Sequence, residues 1–197
     1  MYTQKQTGRN LITVTKAQEV LKNSDASLTS YLQTLISHVS GKFETIADKG
    51  LKLNTYTDLY DGNGTFSIRF NQYPIISLSS LQYRASPESE FQDFYTGSAT
   101  SNILYNDFGK IVLYDKVFPE GINNIKAIYT AGFESIPFDL EEIACQAVVK
   151  AFDNGKYGQG SLGMQSLNIG TGGFSSSVSF GKLEDSWMET LNYYRRV

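Results

Sequence analysis

The sequence predicts an α+β fold in which helices flank an inserted antiparallel β region. Three observations carry this. Residues 27–47 and 139–154 place apolar side chains at three- and four-residue steps; residues 50–130 read as short strands; and a glycine-rich alternating stretch at 164–180 precedes a last helical stripe at 183–195. On this reading residues 11–155 form the core, and residues 156–197 an extended arm made of a hairpin and a terminal helix.

Taken in order, residues 1–12 read as an arm that orders on contact. Thr15, with Gln18 three residues on, has the capping-box pattern for a helix over 15–22, with Ala17, Val20 and Leu21 on its inner side. Asn23-Ser24-Asp25 ends it. From 27 to 47 the stripe Leu28, Leu32, Leu35, Ile36, Val39, Phe43 and Ile46 is the strongest helical periodicity in the chain. After Asp48 the texture becomes β-rich. Asp61-Gly62-Asn63-Gly64 predicts a hairpin turn, because either Asp-Gly or Asn-Gly supplies positive φ angles. Phe66, Ile68 and Phe70 alternate with polar residues, Tyr73-Pro74 interrupts, and IISLSSLQY resumes as strand. Residues 85–103 read as an outer loop or irregular strand pair, followed by the short strand IVLY.

The run from Asn123 to Gly155 organises the rest. Ile125, Ala127 and Tyr129 fall on one side of a strand and Lys126, Ile128 and Thr130 on the other. Ala131-Gly132 breaks the strand, Pro137 ends the connection, and Asp139 with Glu142 predicts an N-cap and its return contact. Leu140, Ile143, Ala144, Ala147, Val148, Ala151 and Phe152 then form a helical stripe, with Asn154-Gly155 as a left-handed stop. Residues 155–181 hold eight glycines and a single charge, Lys156. Within them Gln165, Leu167 and Ile169 alternate, Gly170 to Gly173 turns, and Phe174, Ser176, Val178 and Phe180 alternate, which predicts a hairpin whose backbone edge can pair with another chain. Leu183, Trp187, Leu191 and Tyr194 share one face of the final helix.

The stretch YTAGFESIPFDLEEIACQAV resembles the strand-to-helix signature of the tailed-phage head-tail connector family, the adaptor or head-completion proteins beneath the portal ring. Tyr129, Gly132, Pro137, Asp139 and Leu140 carry that signature. The resemblance extends over residues 11–180: a short helix, a long helix, a β insertion with a Tyr-Pro strand, the signature itself and a serine-rich strand. It implies a homo-oligomeric ring of about twelve copies with heterologous contacts, with the portal and tail or stopper proteins as partners. DNA would pass through the channel without sequence-specific binding. It implies a place in the virion neck and assembly contacts through Phe174, Ser176, Val178, Phe180, Trp187, Leu191 and Tyr194, with a core ending at Gly155 that folds without the arm. The β insertion and the terminal helix are longer than in the shorter members, which leaves a tail-completion or neck protein as a close alternative. A β-rich glycan- or receptor-binding module is the alternative from another class.

Composition narrows the chemistry. A formal charge of −3 argues against holding nucleic acid by counterion release, which needs a basic surface. The single cysteine, Cys145, permits neither an internal disulfide nor a cysteine zinc site. No run reaches the ~18 apolar residues of a membrane span, and the polar start has no signal-peptide core, so the chain is expected to be made in a cytosol and to touch no membrane. The one histidine, His38, sits beside the core position Val39 and reads as a solvent-edge residue. No G-x-S-x-G elbow accompanies it. The pairs Glu141-Glu142 and Glu184-Asp185, like Glu134, suit helix starts and loops rather than a cleft. Gly170 to Gly173 lacks the Lys-Ser/Thr of a phosphate loop, and Asp58, Asp61 and Asn63 lack the closing Glu of a calcium loop. Arg195-Arg196 suits any helix C-terminus. The expectation is a structural protein, not an enzyme, with no cofactor and no metal. Its aromatic content, Tyr 13 and Phe 12, supplies contact surface.

Overall fold

A computed structural model describes residues 10–94, 102–106, 108–157, 166–171, 174–179 and 185–196, with backbone alone for residues 154–157, 166–171, 174–179 and 196. Helix α1 (Val14–Leu21), a 3-10 turn (Ala26–Leu28) and helix α2 (Thr29–Ala47) come first. Strands β1 (Asn54–Gly62), β2 (Ser67–Arg69), β3 (Ile75–Tyr83), β4 (Gln92–Asp93), β5 (Ile103–Tyr105), β6 (Lys110–Leu113) and β7 (Gly121–Ala131) follow. Helix α3 (Phe138–Tyr157), strands β8 (Ser166–Thr171) and β9 (Phe174–Ser179), and helix α4 (Asp185–Arg196) complete the order. This is the α+β class the sequence predicts. The chain divides into a β unit, residues 47–136, and a helical unit built from residues 10–46 and 137–196. Among the described residues no helix is long and apolar enough to cross a membrane.

In the β unit the inward side of β7 is Ile125, Ala127 and Tyr129, all fully buried, as its alternation predicts. Strand β7 pairs antiparallel with β1 on one side and β3 on the other, in a sheet of order β1-β7-β3-β4. A second antiparallel sheet has order β2-β6-β5. Both contribute to one core, in which Phe70 (following β2) packs against Tyr60 of β1 with ring centroids 4.6 Å apart and against Tyr129 of β7 at 4.6 Å. The register of β3 against β7 shifts twice, between Ile75 and Ser77 and between Leu78 and Ser80, so its side chains do not alternate cleanly.

The hairpin expected at Asp61 to Gly64 does not form. Strand β1 pairs with β7 and strand β2 with β6, so the two neighbours in sequence enter different sheets. The turn residues are used otherwise: Asp61 Oδ1 accepts from the Asn123 N–H at 2.7 Å, and Asn63 Oδ1 accepts from the Thr65 N–H at 3.0 Å. Asx chemistry of this kind favours a turn without fixing which strand it leads to.

In the helical unit α1 is capped by Thr13, not Thr15: Thr13 is extended and its Oγ1 accepts from the Lys16 N–H at 3.1 Å. The α2 stripe is buried at Leu32, Ile36, Ser40 and Phe43, and Ser40 Oγ accepts from the Leu11 N–H at 3.0 Å. Helix α3 buries Leu140, Ile143, Ala144, Ala147 and Val148. It meets α2 where the Phe152 and Tyr31 rings lie 6.0 Å apart. It begins one residue before Asp139, its first backbone bond running from Glu141 N–H to the Pro137 carbonyl, so Asp139 is not the N-cap. It also continues past Asn154-Gly155 to Tyr157; a glycine costs about 1 kcal/mol inside a helix, which lowers helix stability without forbidding it. Strands β8 and β9 pair antiparallel, with Thr171 opposite Phe174, as the glycine-rich alternation predicts.

Gly132, in the signature, has φ +106°, and a Cβ there would stand 2.6 Å from the Lys52 carbonyl oxygen. The chain leaves β7 at this point against the backbone entering β1. Replacing Gly132 by alanine is expected to destabilise the protein by about 2–4 kcal/mol, read as a lowered urea midpoint; an unchanged midpoint would show that the close approach relaxes freely.

Candidate functional site

The α4 residues that the sequence points outward are already engaged within the helical unit. Trp187 is 4%, Leu191 0% and Tyr194 7% exposed. The Trp187 indole N–H donates to Gln146 Oε1 of α3 at 2.8 Å, with the Lys150 ammonium 5.3 Å from the ring centre. The Tyr194 hydroxyl donates to both Asp139 carboxylate oxygens, at 2.7 and 2.9 Å. Burial, then the carboxylate of Asp139, raises the pKa of this phenol. Trp187 and Tyr194 therefore bond α4 to its own α3, and with Leu191 buried as well this face of the helix is occupied within a single copy. An apolar stripe of period 3.6 demands a partner surface but does not say whose. Through the same three residues α4 supplies part of the core of the helical unit. Of the hairpin residues, Phe174, Ser176 and Val178 lie on β9, and Phe180 lies outside the described residues.

The remaining signature residues fall at one structural passage. Tyr129 is on the buried side of β7, Gly132 follows the strand, the Pro137 carbonyl starts α3, Asp139 anchors Tyr194, and Leu140 is fully buried. Their role is to pass the chain from sheet to helix and to hold α4.

What remains open to a partner is different. Along α1, α3 and α4 runs a groove of about 970 Å³ whose walls include Val20, Phe138, Val149 and the Trp187 body, together with the charged residues Lys16, Lys150, Glu141, Glu142 and Asp153. Phe138 is 88% exposed. It lies off the Leu140–Ile143–Ala144 stripe, and that offset was the available sequence signal for it. Cys145 borders the same groove, its thiol pKa raised by burial and then by the nearby Glu141. In the β unit Ile122 is 79% and Tyr114 67% exposed. Phe66 and Val117 line a shallow pocket of about 460 Å³ floored by Phe94, whose carbonyl accepts from Lys116. Strand alternation marks such residues as outward without distinguishing solvated positions from contact positions.

Two buried polar groups are structural by their geometry. Asp58 Oδ2 accepts from the Tyr129 hydroxyl at 2.8 Å and from the Tyr60 hydroxyl at 3.1 Å, the two hydroxyls lie 2.9 Å apart, and the Asn71 N–H donates to Tyr60. Burial raises the pKa of both phenols. They act as donors that keep a buried carboxylate satisfied. Lys49, 4% exposed, carries its ammonium 3.7 Å from the centre of the Tyr73 ring. Burial lowers its pKa from 10.5 to about 8.

No protein-family model matches the sequence, and no curated protein matches it. The fold is found in solved structures. The chain is similar over its full length to a subunit of the neck of an empty gene transfer agent particle computed with C6 symmetry, at TM-score 0.65 and 13% identity, covering 96% of that chain. It is similar in the same way to a subunit from the neck of the native particle computed with C12 symmetry, at TM-score 0.59 and 16% identity, again covering 96% of that chain. A third match, from the virion of the native gene transfer agent particle, has TM-score 0.57 and 14% identity, covering 95% of that chain. At these identities the likeness establishes a shared fold.

The seating of α4 sets the first expectation: Trp187→Ala costs about 3–5 kcal/mol and Trp187→Phe about 1 kcal/mol, the share of the bond to Gln146, both measured by urea unfolding. A second concerns pH. Because the folded pKa of Lys49 lies below its unfolded value, the unfolded chain binds more protons between pH 8 and 10.5, and this lysine makes stability rise with pH over that range. Tyr60, Tyr129 and Tyr194 have folded pKa values above 10.0, so above pH 10 the unfolded chain releases protons that the folded one retains, and stability falls. Lys49→Met is expected to flatten the rise between pH 8 and 10 while leaving the fall; an unaltered profile would contradict the assignment.

Proposed function

We propose that the chain is a structural virion protein of the head-tail connector class, an adaptor forming a ring in the neck beneath a portal. A single observation carries this reading: the whole chain matches, nearly end to end, subunits from necks of a gene transfer agent particle solved with C6 and C12 symmetry. The signature resemblance of residues 129–148 points to the same class through a different property, the local sequence. A net charge of −3 suits a wall past which DNA moves without adhering. The work is mechanical rather than catalytic: the ring extends the DNA channel, bridges portal and tail, and helps retain packaged DNA.

Exposed apolar residues on both units supply contact surface of the kind a ring subunit needs: Phe138 and Val20 on the helices, Ile122, Tyr114 and Phe66 on the β unit. With the inner face of α4 occupied, these take the place of Trp187, Leu191 and Tyr194 as the contacts to test first.

The deciding measurement is native mass spectrometry of the protein alone and mixed with the portal ring encoded in the same genome. The expected result is a monomer or small oligomer alone and a fixed, ring-like number of copies added to the portal. Absence of added mass, with the chain folded, would overturn the adaptor reading and favour a tail-side neck component.

A further inference from the structure

Among the described residues three strands of six residues or more have a whole side without a neighbour: β8 and β9, which pair with each other, and β1. Strands β8 and β9 form a two-stranded sheet of their own, and among the described residues neither larger sheet takes them up. An isolated hairpin of six-residue strands is marginal in water. The other open edge is β1, the first strand of the sheet β1-β7-β3-β4, with nine residues. The remaining outer strands are β4 with two residues and β2 and β5 with three each, too short to take a six-residue partner, and β3, which β4 covers only at Gln82 and Tyr83, is broken along its open length by two register shifts.

Edges that must stay unpaired are usually guarded by charge, proline or a bulge. Strand β1 contains no lysine, arginine or proline, its Asp58 side chain is turned inward to Tyr129, and its second charge, Asp61, stands at the far end of the strand, where the register with β7 shifts. At its start the Thr55 N–H is taken by Asn54 Oδ1, and the strand then keeps unbroken register with β7 as far as Tyr60. Thr57 and Leu59 face outward. Strand β9 is equally unguarded: FSSSVS has no charge and no proline, and its register with β8 runs without a shift from Phe174 to Ser179.

We propose that β9 of one copy pairs with the outer edge of β1 in a second copy, extending the four-stranded sheet across the subunit boundary. This deepens the ring reading and rests on it. A contact of one surface with a different surface on the next copy is heterologous, and such contacts make a ring when the rotation between copies closes. Backbone hydrogen bonds supply the attraction, so the serine-rich sequence of β9 suffices without large side chains.

The test uses full-length chains in a Cys145→Ala background. One carries Thr57→Cys, and a size-tagged second carries, in turn, Ser175→Cys, Ser176→Cys, Ser177→Cys or Val178→Cys. The two are mixed, assembled on the portal ring, oxidised and resolved without reductant. The expected result is a covalent dimer of one tagged and one untagged chain at alternate β9 positions, as strand geometry and the short Cα separation of a disulfide require, and loss of that dimer when Ser177→Pro is added to a tagged chain whose cysteine stands at 175, 176 or 178. Rings that assemble without the mixed dimer overturn the pairing and leave the ring reading intact. So do links formed only to the portal, or only within one chain when both cysteines are placed together. Failure of the Cys145→Ala chain and of the unsubstituted chain to load the portal removes the ring reading itself, and with it this inference, before any cross-link is read.

Discussion

The hydrogen bond from Tyr129 to Asp58 is the constraint around which the β unit closes. Tyr129 stands on the central strand, flanked on both sides by pairing partners, and its ring fills the middle of the aromatic core. A phenol at that depth needs an acceptor, and a carboxylate at that depth needs donors; each is the other's solution, with Tyr60 as the second donor. The pair also ties β1 to β7 side chain to side chain, in addition to their backbone ladder. Replacing either partner alone would leave the other buried and unsatisfied, which is costlier than losing both.

The helical unit uses the same logic at a smaller scale. Asp139 lies in the first turn of α3, where the helix dipole favours its charge, and it receives the Tyr194 hydroxyl from α4. One residue earlier in the chain, Phe138 projects away from the core and is nearly fully exposed. The start of α3 therefore holds its own last helix with one side chain and offers an apolar ring outward with the next.

Much of the fold was legible because the relevant signals are local. The 3.6-residue stripes of α2 and α3 and the period-2 run of β7 follow from which face of each element meets the core. The Asp61–Gly64 motif misleads because a turn motif specifies a bend, while the strand that β1 pairs with lies far along the chain, with Asn54 opposite Ala131. The cap of α1 moved two residues, from Thr15 to Thr13, since both threonines have the required hydroxyl and only backbone geometry separates them. The candidate contact residues were the least legible. Trp187, Leu191 and Tyr194 announced a buried face correctly, but an amphipathic pattern is silent about whether the covering surface belongs to the same chain.

The two pieces of the helical unit, residues 10–46 and 137–196, are separated in sequence by the entire β unit. Strand pairing brings the two ends of that insertion together, with Asn54 opposite Ala131. Until this clasp forms, α2 and α3 are joined only through a long flexible loop whose closure costs entropy. Once it forms, the effective connection is a few residues long. The β unit is also the first of the two to be completely synthesised, because the helical unit cannot be assembled before α4 emerges. The units are thus nested in the chain: the inner one, once its strands pair, delivers the ends of the outer one to each other.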